Sequence, residues 1–465
     1  MSDTFNVAVV GSGPAGFYAA EALLQSDLQI RVDMIERLPV PFGLVRHGVA
    51  PDHQKLKIVT SLFEKIASDE RFSFIGNLHL GRDIDISDLK EAYDAVIIAT
   101  GALSDRPLGI DGERLQGSVS ATEFVGWYNG HPDFRDKHFD LSHPNAVIVG
   151  NGNVALDVCR ILSKSVDELR GSDICEHALD VLATSKVENI YLVGRRGPAQ
   201  AKFTTKELRE FGELSRAQAV VDPTDLELND ASITELNGPE GSGAAKNLQL
   251  FTAFTQTTGQ QKPKRIHFRF LLSPREILGE SRVEAVTFDK VRLTGEAFNQ
   301  GVEPTGEEIS LPVGLLVRSV GYRGTQIAGI PFDPKSGTIP NKDGRVRDSD
   351  GSIVPRLYVA GWIKRGPSGV IGTNRACGVD TANALLADLA WLAHHTGGRE
   401  ITNREHFLRS LREKPLKLVD FEGWRRIDAL EKAAGAASGK PREKMTRVQA
   451  MLDASKDERH LVCAV

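Results

Sequence analysis

Two short stretches of this 465-residue chain combine closely spaced glycines with charged residues downstream, and the charges are opposite. Gly11-Ser12-Gly13-Pro14-Ala15-Gly16 leads to Glu36, whereas Gly150-Asn151-Gly152-Asn153-Val154-Ala155 leads to Arg195 and Arg196. The first two glycines of such a loop permit a tight turn and close backbone approach to a pyrophosphate. The third small residue lets the following helix pack on its sheet. A carboxylate at the Glu36 position accepts hydrogen bonds from a ribose hydroxyl and repels a 2′-phosphate, while a guanidinium fork suits that phosphate. The economical reading is FAD at the first loop and NADPH at the second. Either loop alone would also suit an ordinary glycine-rich turn.

Each loop needs a strand before it and a helix after it. Phe5 to Val10 and Ala146 to Val149 are short, mostly apolar runs without proline, which predict buried parallel strands. Ile30 to Ile35 predicts the strand that ends at Glu36, and a bound pyrophosphate would sit at the N-terminus of the helix after each loop. Ala95 to Ala99, stopping at Thr100-Gly101, and Leu315 to Val320, followed by Gly321, predict one more ligand-facing strand end per unit. Leu357 to Ala360 closes on Gly361-Trp362, and a third glycine-rich loop, Gly366 to Gly372, precedes a helix predicted from about Arg375 to His394. The pattern predicts an α/β fold of two Rossmann-like dinucleotide-binding domains, the NADP domain inserted into the FAD domain. The expected boundaries are 1–105 and 326–465 for the FAD domain, ending in a polar helical tail, and 106–325 for the NADP domain.

Leu38 to His53, with three prolines, is long for a connector and is expected to be functional. An amphipathic helix with Leu56, Val59, Phe63 and Ile66 on one stripe follows. Asp222 to Ser242 and Gly259 to Lys264 are polar and turn-rich, and Ile266 to Leu272 alternates as a strand would. Apolar content of 41% and charged content of 26% are those of a globular protein. The net charge of -5 offers no basic footprint for nucleic acid, and no apolar run is long enough to cross a bilayer. The first strand begins almost at residue 1, so no targeting segment is expected within these residues. Cys159, Cys175, Cys377 and Cys463 form no C-x-x-C pair, which argues against a redox dithiol, a bound iron–sulfur cluster and a zinc ribbon. A cytoplasmic, bacterial-type location is therefore expected. His131, His138 and His143 fit no zinc spacing and read as surface histidines; Cys175-Glu176-His177 fares no better, so no metal is expected.

Pro41-Phe42-Gly43-Leu44-Val45-Arg46-His47-Gly48, running on to His53, together with Gly150 to Asp157, Gly194-Arg195-Arg196-Gly197, Phe203 to Glu210 and Gly361-Trp362 to Gly369, resembles the adrenodoxin-reductase-like ferredoxin-NADP reductases. The resemblance covers most of the chain up to about residue 395, and Gly-Trp in place of the commoner Gly-Asp makes it specific. It implies FAD contacts at Glu36, Leu44, Trp362, Gly369, Val370 and Ile371, and less distinctively at Ala15 and Leu80. It implies NADP contacts at Arg106, Asn151, Gly152, Asn153, Val154, Arg195, Arg196 and Glu207, and places His53 and Glu210 near the nicotinamide. Cys377 is assigned no role.

The chemistry implied is hydride transfer from NADPH to FAD, then single electrons to a ferredoxin or adrenodoxin-type iron–sulfur protein. His53 and Glu210 are the candidates for orienting the carboxamide and handling a proton. Lys262, Lys264 and Arg265, or Lys206 and Arg209, could steer a transient electrostatic encounter with an acidic partner. The alternatives are a nucleotide-binding redox sensor without turnover, a flavin-dependent reductase of another acceptor, and a flavin monooxygenase or a disulfide reductase, the last disfavoured by the missing C-x-x-C.

Overall fold

The computed structural model describes residues 4–256, 262–369, 371–395 and 403–456. The chain forms two compact units: Met1–Val49, His53–Ser104 and Tyr322–Val465 make the first, and Ala50–Asp52 with Asp105–Gly321 make the second. The second is thus inserted in the sequence of the first.

The first unit is built on a parallel sheet in which Phe5–Val10 lies between Ile30–Glu36 and Ala95–Ile98. Phe72–Gly76 extends one side, and Ile353–Val359 extends the other, followed by the antiparallel Arg345–Arg347 and Asn341–Lys342. The apolar run of the first strand is continuous because both faces are covered: Val7 and Val9 join one buried cluster, Ala8 and Val10 the other. Val10 pairs with Ile35 and Ile98, and Ile98 with Val359, so the residues after these strands share one edge of the sheet. From Phe5–Val10 the chain adds Ile30–Glu36 and Phe72–Gly76 on one side of the sheet and then Ala95–Ile98 on the other, which makes the C-terminal end of Phe5–Val10 a topological switch point.

The second unit repeats the plan. Its six parallel strands run Ser118–Ser120, Leu315–Arg318, Asn145–Val149, Asn189–Val193, Lys264–Arg269, Ala217–Val221 across the sheet. Ala146 and Ile148 face one core, Val147 and Val149 the other. A separate antiparallel sheet of Leu272–Leu278, Ala285–Thr294 and Gly301–Pro312 packs Val286 and Phe288 into the latter cluster.

Several local expectations are corrected. Leu56 is 43% exposed, because the amphipathic stretch breaks at Ile58 into Gln54–Lys57 and Val59–Ala67, and only Phe63 and Ile66 are buried. The strand expected to reach Leu272 ends at Arg269, where the chain turns through Leu271 at φ 56° and starts the antiparallel sheet. Asp222 to Ser242 contains the helix Asp230–Leu236, capped by the Asn229 side chain. The helix after the third glycine loop starts at Ile371. His131 is buried, its Nδ1 accepting the Asp133 N–H, so it is a local cap and not a surface residue. The polar-looking tail hides core residues: Phe421, Trp424, Ile427, Met451 and Leu452 join the cluster that holds Phe17 and Phe63. Arg404 ties its helix to the first sheet by two hydrogen bonds, 2.7 and 2.8 Å, to buried Asp33.

Candidate functional site

In the first unit Gly11 follows the first strand with its N–H on the Ile35 carbonyl. Its φ of 106° and a Cβ position 2.5 Å from the Ala99 oxygen require glycine. A Cβ on Gly16 would stand 2.1 Å from the Gly11 oxygen, so the helix Pro14–Leu24 packs directly on the turn. Gly13 is different: a Cβ there would meet nothing within 4 Å. The helix has no side-chain cap at Gly13, leaving its first-turn N–H groups for an acceptor outside the helix. Glu36 ends its strand with one carboxylate oxygen accepting from Ser12 N and Oγ (3.1 and 2.6 Å) and the other from Leu38 N (3.1 Å), which orients the carboxylate beside the loop.

The same logic recurs in the second unit. A Cβ on Gly150 would meet the Ser319 oxygen at 2.2 Å, one on Gly152 would meet nothing within 4 Å, and the helix Asn153–Ser163 has no side-chain cap. A Cβ on Gly194 would collide with the Asn151 side chain, so the bare strand end makes room for that amide. Asn151 Oδ1 is buried with no hydrogen-bond partner among the described residues. Asn153 Oδ1 accepts the Thr204 N–H at 2.9 Å, and Lys202 N donates to the Asn151 carbonyl. These bonds fasten the loop to the start of the helix Thr205–Glu213, which carries Glu207 in its first turn and Glu210 one turn later. Arg195 and Arg196 are exposed at the end of Asn189–Val193, with no carboxylate within ion-pair distance among the described residues. Open Cβ directions at Gly13 and Gly152, uncapped helices, an oriented carboxylate at one strand end and two exposed guanidinia at the other fit one dinucleotide per unit.

Glu210 is half-buried, with Oε2 3.8 Å from Nε of the wholly buried Arg160. Arg160 also binds Asp52 through Nε and Nη2 (2.8 and 3.0 Å) and Asp157 (2.7 Å), and Lys164 reaches Asp52 at 2.7 Å. Burial opposes ionisation of Asp52, but the Arg160 guanidinium and the Lys164 ammonium override it and hold its carboxyl well below the usual carboxylate range. Burial also works against the Arg160 charge, and the Asp52 and Asp157 carboxylates more than offset it. Asp52 thus joins the second unit immediately before His53, which is partly exposed in the first. Sequence reasoning missed Arg160; the signal was a charged residue on the otherwise apolar inner face of the helix after the second loop.

Among the remaining candidates, Ala15 and Leu80 are buried, Leu44 is partly exposed at the start of the short helix Leu44–His47, and Arg106 is exposed, its N–H on the Gly321 carbonyl. Trp362 is partly buried, stacked on Tyr322 with centroids 5.6 Å apart, and its Nε1 donates to the Ser368 carbonyl at 3.2 Å. Gly369 and Ile371 flank this turn, and Val370 lies outside the described residues. Cys377 gains a part: its sulfur accepts the Gly361 N–H at 3.2 Å and fixes the turn that presents Trp362. Lys262 and Lys264 lose theirs, since their ammonium groups donate to the Leu214 and Leu162 carbonyls near helix C-termini instead of standing free for a partner. Lys206 and Arg209 are exposed. Among the described residues no cluster of metal ligands occurs and no helix is long and apolar enough to cross a membrane.

Two glycine-loop units with this strand order define a two-dinucleotide flavoprotein reductase architecture, and a family model for pyridine nucleotide-disulphide oxidoreductases matches residues 5–192. The chain is 44% identical to NADPH-ferredoxin reductase FprA of Mycobacterium leprae over 96% of its length and 97% of that protein's. It is 43% identical to the mitochondrial NADPH:adrenodoxin oxidoreductase of Rattus norvegicus over 97% of its length and 91% of that protein's. The structure of Mycobacterium tuberculosis FprA in complex with NADPH superposes with a TM-score of 0.91 at 42% identity, covering 97% of this chain and 100% of that one. The chain belongs to the NADPH-ferredoxin and NADPH:adrenodoxin reductase family.

Proposed function

We propose that this protein is an NADPH-dependent, FAD-containing reductase of a ferredoxin or adrenodoxin-type iron–sulfur protein. The observation that carries the reading is the contrast between the two strand ends, Glu36 beside one glycine loop and exposed Arg195 and Arg196 beside the other, in a chain that matches this family along nearly its whole length. FAD, when bound, accepts a hydride from NADPH and releases its electrons singly, which suits a one-electron iron–sulfur acceptor.

The chain's own residues bind and orient. The Gly11–Gly16 loop and Glu36 hold the FAD pyrophosphate and ribose, with Leu44, Trp362 and the Gly369–Ile371 turn toward the flavin. The domain from Asp105 to Gly321 holds NADPH: Asn151 to Val154 cradle its phosphates, Arg195 and Arg196 clamp the 2′-phosphate, and Glu207 and Arg106 add further contacts. His53 in the first unit and Glu210 in the second are the candidates for orienting the carboxamide and handling a proton, and within its own unit Glu210 is anchored by the Arg160 guanidinium. Exposed Lys206 and Arg209 steer a transient encounter with an acidic partner. The buried thiols Cys159, Cys175 and Cys377 form no disulfide, which supports a reducing, cytoplasmic setting.

Purified protein with NADPH, a plant-type or adrenodoxin-type ferredoxin and cytochrome c tests the reading. Cytochrome reduction that depends on the ferredoxin is expected; NADPH consumption indifferent to the ferredoxin overturns it. In the same assay Lys206→Gln with Arg209→Gln should flatten the salt dependence, and an unchanged salt slope removes these residues from docking.

A further inference from the structure

We infer that Glu431, on the C-terminal helix Phe421–Ala437, is a positioning residue for FAD, acting through Arg46 on the Pro41–His47 loop. The inference rests on the FAD reading above. The loop lies directly on the first glycine turn: Phe42 N donates to the Ser12 carbonyl at 3.0 Å, and a Cβ on Gly43 would stand 3.0 Å from Gly13 Cα. Gly43 at φ 48° is in a region open to glycine, but Phe42 at φ 84° is in one that a bulky side chain rarely adopts, so something beyond the loop must hold Phe42 there.

The C-terminal segment supplies that support. Arg46 forms a two-pronged pair with Glu431, Nη1 to Oε2 at 2.9 Å and Nη2 to Oε1, with the side chains 3% and 0% exposed. The Arg46 guanidinium lies 5.1 Å from the centroid of the Trp424 ring, and Phe42 meets the same ring edge-on at 5.5 Å. Glu431 is itself held from a third side, accepting from Met445 N at 2.8 Å and Arg442 Nη1 at 3.2 Å, while Arg442 also binds Asp428 at 2.6 Å. One carboxylate therefore joins the loop, the helix and the segment that returns after it. A buried ion pair adds little net stability over an apolar substitute, but it fixes geometry, and a fork-shaped pair fixes it in a plane. Leu44 lies between Gly43 and Arg46, so the geometry held by Glu431 is that of the flavin-contacting backbone.

The test is FAD release from the holoprotein, followed as the rise of free-flavin fluorescence on dilution. Glu431→Gln, which keeps the volume and weakens the pair, should release FAD at least about tenfold faster than the parent. Asp428→Asn perturbs the same helix and the same Arg442 without touching Arg46, and should change release by less than about threefold. The pair of changes Arg46→Met with Glu431→Met leaves no unpaired buried charge; it should fold, with the flavin again released at least about tenfold faster. Equal release from the parent and the Glu431 variants, or equal acceleration by Asp428→Asn, overturns the inference while leaving FAD binding intact. A parent protein that binds no FAD overturns the underlying reading instead.

Discussion

Removing both exposed guanidinia, Arg195→Ala with Arg196→Ala, tests the assignment of the second loop to NADPH. Neither side chain has an ion-pair partner among the described residues, so the change leaves no buried charge behind and should cost little stability. A hydrogen bond to a charged group contributes about 1.5–3 kcal/mol, and exposure places these two at the lower end, near 1.5 kcal/mol each. Together they amount to about 3 kcal/mol, which at 1.4 kcal/mol per decade is a loss on the order of 10²-fold in kcat/KM for NADPH. NADH lacks the 2′-phosphate, so its kcat/KM should stay within about threefold. Steady-state rates with each coenzyme and saturating ferricyanide give both numbers. The parent's preference for NADPH should also fall as salt rises, and the variant's should not. Equal losses for NADPH and NADH would refute the phosphate clamp.

Gly13→Ala and Gly152→Ala should fold normally, because a Cβ at either position meets nothing within 4 Å, yet the first should lose flavin content and the second should raise the KM for NADPH; retention of both properties counts against the pyrophosphate sites. Asp52→Asn strips the buried Arg160 of its two-pronged partner and should destabilise by about 3 kcal/mol at neutral pH in urea unfolding. The folded-state value of Asp52 is depressed, so its contribution is fully present above about pH 4 and lost as pH falls below that; the variant should show a shallower acid decline, and an unaltered one sinks the argument. His177 and His267 are each lowered from 6.5 to about 4, burial being the main cause and nearby arginines the next. The unfolded chain takes up protons that the fold refuses, so stability should fall from pH 6.5 toward 4, and His267→Gln should reduce the slope measured from urea midpoints.

Much of this fold was legible because its signals are local. The loops Gly11–Gly16 and Gly150–Ala155, the apolar runs before them and the charges at Glu36 and Arg195 follow from what a strand, a tight turn and a helix start demand over a few residues. What stayed illegible depends on partners distant in sequence. Arg46 and Glu431 are separated by 385 residues, and neither one announces the other. The C-terminal tail reads as polar because Trp424, Ile427 and Met451 are spaced among charges that face one another in a network. Lys262 and Lys264 looked like free charges, since nothing in the linear pattern marks a lysine that donates to helix-end carbonyls. Leu56 belonged to a plausible stripe, but the helix breaks at Ile58 and turns it outward.

In this reading the chain moves hydride from NADPH to a flavin that it holds itself. An anaerobic titration of the purified yellow protein with NADPH, followed in the visible flavin band, tests it most directly. Bleaching should be complete at about one equivalent of NADPH per flavin and much slower with NADH. A protein without flavin, or a flavin band that NADPH leaves unchanged, would contradict it.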